Sequence, residues 1–172
     1  MSMLLAAAAD AANAAQAAAP IVPDFAQKAL VFAAAFSSIG FAAIGSAYGA
    51  GAAACAAVGA WKKCYAQNKP APFQLLIFAG APLSQTIYGM IMMILISGAA
   101  AKTPGMWPLY LAVGVFGGLA QMFSALFQGR AAAGGCNSFA ETNQGFANDL
   151  MILGVVETCA IFALVFSIMV MA

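Results

Sequence analysis

The stretch Gly154-Val155-Val156-Glu157-Thr158-Cys159-Ala160-Ile161-Phe162 places a carboxylate well inside the apolar segment 146–172, with eleven residues of that segment before it and fifteen after. A helix crosses the hydrocarbon core of a bilayer with ~20 apolar residues, so the segment is long enough to span. A carboxylate at that depth costs at least ~2.5–3.5 kcal/mol on insertion scales, which makes Glu157 a functional residue by default. A carboxyl group surrounded by lipid stays neutral by keeping a proton or by binding a cation. Glu157 therefore reads as a reversible ion carrier.

Working outward, three further apolar runs precede this one, at about 26–60, 73–101 and 106–135. They are separated by Lys62, Lys63, Lys69, Pro70 and Pro72 in the first break, by Lys102-Thr103-Pro104-Gly105 in the second, and by the polar stretch 136–145 in the third. Backbone groups in lipid must be bonded within the segment, so each run reads as a helix. The expected fold is an all-α membrane protein of four transmembrane helices in two tandem hairpins, 26–101 and 102–172. An alanine-rich N-terminal extension, 1–25, comes before them. Residues 1–23 carry one charge, Asp10, with the short apolar stretch and Ala-x-Ala triplets of a signal peptide but no basic residues ahead of them. Both a cleaved targeting segment and a plain extension fit that pattern.

Composition agrees. Of 172 residues, 65% are hydrophobic and 6% charged, against about 25% charged in soluble domains. The net charge of +1 supplies no basic surface for nucleic acid. The chain has no histidine, which excludes Ser-His and Cys-His catalysis and an HExxH zinc site. Cys55, Cys64, Cys136 and Cys159 form no CxxC pair and read as small buried residues in a reducing compartment. Lys62, Lys63, Lys69 and Arg130 lie toward the first and third breaks, and Lys28 and Lys102 toward the other side. The positive-inside rule then puts the loops 62–72 and 135–145 in the cytoplasm.

The halves are alike. Tyr48-Gly49 and Gln128-Gly129 hold matching places, each leading into a run of small residues, and the first and third helices carry the pairs Gly45/Gly49 and Gly114/Gly118. Small faces let helix backbones approach closely in lipid, which marks these two helices for a crowded inner position. The second helix brings a polar cluster: Ser84, Gln85 and Tyr88 share one face at i, i+3 and i+4 spacing. Pro82 lacks a backbone donor and disturbs the local turn, which would make nearby carbonyls, that of Ala81 included, available as ligands. Gln128 lies at the corresponding depth in the third helix. Carboxylate, amide, hydroxyl and backbone oxygens are hard donors suited to a hard cation, and one negative charge leaves a monovalent ion such as Na⁺ neutral.

Four motifs together resemble the double-hairpin proteolipid (K or c type) of V-type and A/V-type rotary ATPases: 44–49 (IGSAYG), 82–89 (PLSQTIYG), 123–130 (FSALFQGR) and 155–158 (VVET). The resemblance covers about 27–172. It implies a rotor ring of about ten copies of this chain, with Glu157 as the ion-carrying carboxylate and none in the first hairpin. By analogy with Na⁺-translocating members it implies Na⁺ (or H⁺) as the transported ion, held by the Ala81 backbone oxygen, Ser84, Gln85, Gln128 and Glu157, with Tyr88 bonding the carboxylate. No organic cofactor is implied. The implied partners are an a/I-type stator membrane protein, central-stalk proteins and membrane lipid, and the implied location is a prokaryotic plasma membrane. ATP chemistry would belong to other members of the complex, so the chain is no enzyme on its own. Ser84 stands where those Na⁺-translocating members tend to have Thr, and Ala81 where a bulkier residue is usual. The rival from another class is a small proton-coupled multidrug exporter, against which the duplicated hairpin and the single late glutamate argue.

Overall fold

The structure, a computed structural model, describes residues 24–172. The question of a targeting segment falls on residues 1–23 and lies outside the described residues. Helix α1 runs over Asp24–Ala66, so the last two residues of the expected extension already belong to it. Then come α2 (Leu75–Gly80), a 3₁₀ turn (Ala81–Leu83), α3 (Ser84–Lys102), a second 3₁₀ turn (Pro104–Met106), α4 (Trp107–Thr142) and α5 (Phe146–Met171). Helices α2 and α3 with the turn between them form the second of four helices long and apolar enough to cross a membrane, and the described residues include no strand. The all-helical reading of the sequence stands.

The helix ends differ from the sequence expectation. Residues 62–66 and 135–142 are helical, so the connections shrink to 67–74 and 143–145. Polar residues mark where a chain leaves lipid, but a helix continues in water until its backbone is turned. That turn comes at Asn68 (φ 52°), and again at Asn143 (φ 54°) and Gly145 (φ 80°), left-handed conformations that Asn and Gly adopt at helix ends. Lys62, Lys63 and Arg130 accordingly sit on helices, Arg130 a dozen residues before the end of α4 with its guanidinium 5.3 Å from the Phe127 ring centre. With 43 residues α1 is about 65 Å long, and α4 with 36 about 54 Å, well beyond a ~30 Å hydrocarbon core. The segment 67–74 returns along α1, where the Trp61 indole N–H donates to the Pro72 carbonyl at 2.7 Å.

Helices α1 and α4 form the inner pair: 39% of the most apolar stretch of each is buried, against 22% for the second span and 11% for α5. Both glycine pairs serve this contact. A Cβ on Gly118 would lie 2.7 Å from the Ser37 carbonyl oxygen, and one on Gly114 would run into the Ala34 carbonyl. The two repeat-matched glycines meet each other, since a Cβ on Gly129 would overlap the Gly49 backbone. Helix α3 closes on α1 through Gly89, where an added Cβ would lie 2.7 Å from the Ala42 methyl and whose carbonyl accepts from the Ser38 hydroxyl at 3.1 Å. Apolar clusters fill both ends, Leu75, Phe78, Cys136, Phe139 and Leu153 near the connections and Val31, Ile96 and Tyr110 near the opposite end. Between them lies a polar layer.

Candidate ion-binding site

The polar layer is assembled from α3, α4 and α5. Glu157 is half-buried, and each of its carboxylate oxygens receives a neutral donor: the Tyr88 hydroxyl at 2.7 Å to Oε1, and Gln128 Nε2 at 3.3 Å to Oε2. Gln85 and Gln128 are fully buried. Gln85 Nε2 donates to Gln128 Oε1 at 2.9 Å and to the Ser124 hydroxyl oxygen at 3.3 Å, while Gln85 Oε1 lies 3.2 Å from the Ser84 hydroxyl that donates to it. The second N–H of Gln128 reaches the Leu153 carbonyl at 3.1 Å. Among the described residues no basic side chain pairs with Glu157, and the ion pair found is Lys63–Glu141 at 3.3 Å, on the exposed ends of α1 and α4.

Local sequence explains this convergence. Pro82 cannot continue the α-helical hydrogen-bond ladder, and the chain tightens into the 3₁₀ turn Ala81–Leu83 before α3 starts at Ser84. The turn sets Gln85 against α4 and Tyr88 against α5, with the Ser84 hydroxyl reaching Gln85 Oε1. The Ala81 carbonyl behaves otherwise than expected. It is no free ligand: the backbone N–H of Ser84 bonds it within the turn, and the Ser84 hydroxyl lies 3.1 Å away. When that hydroxyl turns to Gln85 Oε1, one carbonyl lone pair is released. The oxygens of Ser84, Gln85, Gln128 and Glu157 each keep acceptor capacity beyond the bonds described, so the donor set is chemically suited to a hard monovalent cation.

Two residues here escaped the sequence reading. Gln121 and Ser124, with Gln128, lie at i, i+3 and i+7 on one face of α4, and each bonds a carbonyl of α5: Gln121 Nε2 to Ala160 at 2.9 Å, Ser124 Oγ to Val156 at 3.2 Å, Gln128 Nε2 to Leu153 at 3.1 Å. The signal is the helical spacing of polar residues in 121–128 (QMFSALFQ), which extends beyond the depth of Glu157. The cysteine expectation holds in half: Cys64 and Cys136 are buried, whereas Cys55 and Cys159 face outward, and all four are free thiols.

Cavities of about 440, 530 and 550 Å³ lie near helix ends, and Glu157 lines none of the three.

Residues 111–170 match the family model of the ATP synthase C subunit. Over 133 residues the chain is 32% identical to a protein of Methanocaldococcus jannaschii described as A-type ATP synthase subunit K. That match takes in 77% of this chain and 57% of the relative, so the chain spans little more than half the length of the relative it matches.

Proposed function

We propose that this chain, marked by both likenesses as a rotary-ATPase proteolipid, is a rotor component that carries one monovalent cation at a time on Glu157. The observation that carries the reading is a carboxylate on a membrane-spanning helix that meets neutral donors and, among the described residues, no basic side chain. Its charge has to be neutralised by a mobile partner, and that partner is the cargo. Na⁺ suits the oxygens of Ser84, Gln85, Gln128 and Glu157, joined by the Ala81 carbonyl once the Ser84 hydroxyl swings away, while Tyr88 holds the carboxylate orientation. H⁺ is the other candidate, carried by Glu157 alone.

In this reading the outward apolar side chains of α5, among them Val155, Phe162 and Met169, face lipid or a neighbouring copy of the chain in the ring. A neutralised Glu157 travels through lipid with the ring and releases its ion where a stator protein offers a positive charge to the bare carboxylate. ATP is made or hydrolysed elsewhere in the complex. The connections 67–74 and 143–145 face the cytoplasm and the central stalk, because four of the six basic residues lie toward that end.

Carbodiimide labelling of the assembled full-length protein tests this. Glu157 should be the labelled residue, Glu157→Gln should abolish labelling and transport without loss of assembly, and Na⁺ should protect the wild type in a concentration-dependent way. Labelling unaffected by Glu157→Gln would sink the carrier assignment. Absence of Na⁺ protection at every pH would leave a proton carrier.

A further inference from the structure

Gln121 is fully buried, and its two polar atoms fare differently. Nε2 donates to the Ala160 carbonyl of α5 at 2.9 Å, while Oε1 meets no donor among the described residues. A carboxamide oxygen left without a donor in a buried setting is among the expensive arrangements in a protein, and the penalty persists unless a small donor reaches it. A neighbouring copy of the chain cannot serve, because the residue has no exposed surface through which another side chain could enter. A metal cation would bring a charge that needs balancing, and among the described residues Gln121 bonds no carboxylate. Water is the smallest donor that can meet such an oxygen, and it needs acceptors of its own. Nearby acceptors are at hand on either side. The Ser124 hydroxyl, one turn along α4, commits its proton to the Val156 carbonyl, and the Ser167 hydroxyl, 3.4 Å from where a Cβ on Gly117 would sit, commits its proton to the Ala163 carbonyl. Gly117 and Ser124 lie about one turn to either side of Gln121 on α4, so both hydroxyls belong to the same stretch of the α4–α5 seam.

Ala160 is one turn beyond Glu157 on α5, toward the end where α1 begins. Helix α5 is little buried against the rest of the chain, and the three side-chain bonds from Gln121, Ser124 and Gln128 to its carbonyls fix its height on α4. We infer that Gln121 holds a structural water in the α4–α5 seam, one turn from Glu157, and through that hydrated contact acts as a positioning residue for the carboxylate. The positioning half of this inference rests on the carrier role proposed for Glu157. The water half does not.

The test uses the full-length protein in its assembled form. A density map fine enough to show waters should place one about 3 Å from Gln121 Oε1, and an infrared O–H stretching band that shifts in H₂¹⁸O should be present in the wild type and absent in Gln121→Leu. The same variant should raise the cation concentration, Na⁺ or H⁺, at which Glu157 is half-protected from carbodiimide by at least about threefold, the share of one interhelical hydrogen bond in a bilayer. Gln121→Glu, similar in shape and able when protonated to donate and accept, should return the wild-type midpoint for label located at Glu157 by peptide mapping, which separates it from label on the new carboxyl. Absence of the water in the wild type overturns the inference even if the leucine variant fails to assemble, and an unchanged midpoint in an assembled leucine variant overturns the positioning role. Failure of the carrier reading looks different: wild-type Glu157 then escapes labelling while the water at Gln121 is still seen.

Discussion

Gly129→Ala and Gly134→Ala are the same substitution five residues apart on one helix, and they should move stability in opposite directions. Each replaces glycine by the best helix former, a gain of about 1 kcal/mol. At Gly134 an added methyl meets nothing within 4 Å. At Gly129 it overlaps the Gly49 backbone, closer than the 3.0 Å below which real Cβ contacts essentially never fall. No flexible side chain can yield there, so α1 and α4 must separate, and overpacking of this kind costs about 1–3 kcal/mol or more. The propensity gain cancels between the variants. A backbone obstacle calls for the upper part of that range, so the two should differ by about 2–3 kcal/mol. Unfolding of each variant in mixed detergent–SDS micelles, followed by helical circular dichroism, reads the difference. Because Gln128 adjoins Gly129, Gly129→Ala should also weaken cation protection of Glu157, which Gly134→Ala should leave alone. Equal stabilities for the two variants would refute the close contact between the inner helices.

Two further substitutions probe the polar layer and the exposed ends. Tyr88→Phe keeps the ring and removes the 2.7 Å donor to Glu157, and it should raise the Na⁺ concentration for half-protection by about threefold, the mean of about 0.6 kcal/mol for interhelical bonds in lipid, and by no more than about twentyfold, their maximum of about 1.7 kcal/mol. Lys63→Ala should leave the unfolding midpoint unchanged within error, because both partners of the Lys63–Glu141 pair are nearly two-thirds exposed and such pairs contribute at most about 1 kcal/mol.

Legibility in the sequence followed the strength of the physical constraint. Lipid leaves a chain few options, so four apolar runs became four helices, and the glycine pairs at 45/49 and 114/118 announced a close seam between the first and third. Ser84, Gln85, Tyr88, Gln128 and Glu157 could be read as neighbours because polar groups at one depth must find one another. What stayed hidden was set by geometry finer than depth. Residues 136–142 look like a loop by polarity, yet nothing in them turns the backbone until Asn143. The Ala81 carbonyl was expected to be free because of Pro82, but the 3₁₀ turn that proline enforces supplies it with the Ser84 N–H. Gln121 was legible only as a polar position in helical register with Ser124 and Gln128; its partner, a backbone carbonyl of α5, leaves no mark in a pattern of side chains.

The meeting of Gly49 with Gly129 also has a mechanical side. Where helices touch through long side chains, a lateral load is first absorbed by rotamers. Here backbone rests on backbone, next to the residue that bonds Glu157. A sideways push on the carboxylate reaches α4 through Gln128 and passes into α1 with little compliant material between. The two helices that share it are the longest among the described residues and overshoot the bilayer. If the chain works as the rotor component proposed above, the layer around Glu157 is joined to a closely seated helix pair that would pass displacement on to the whole rather than store it as local strain.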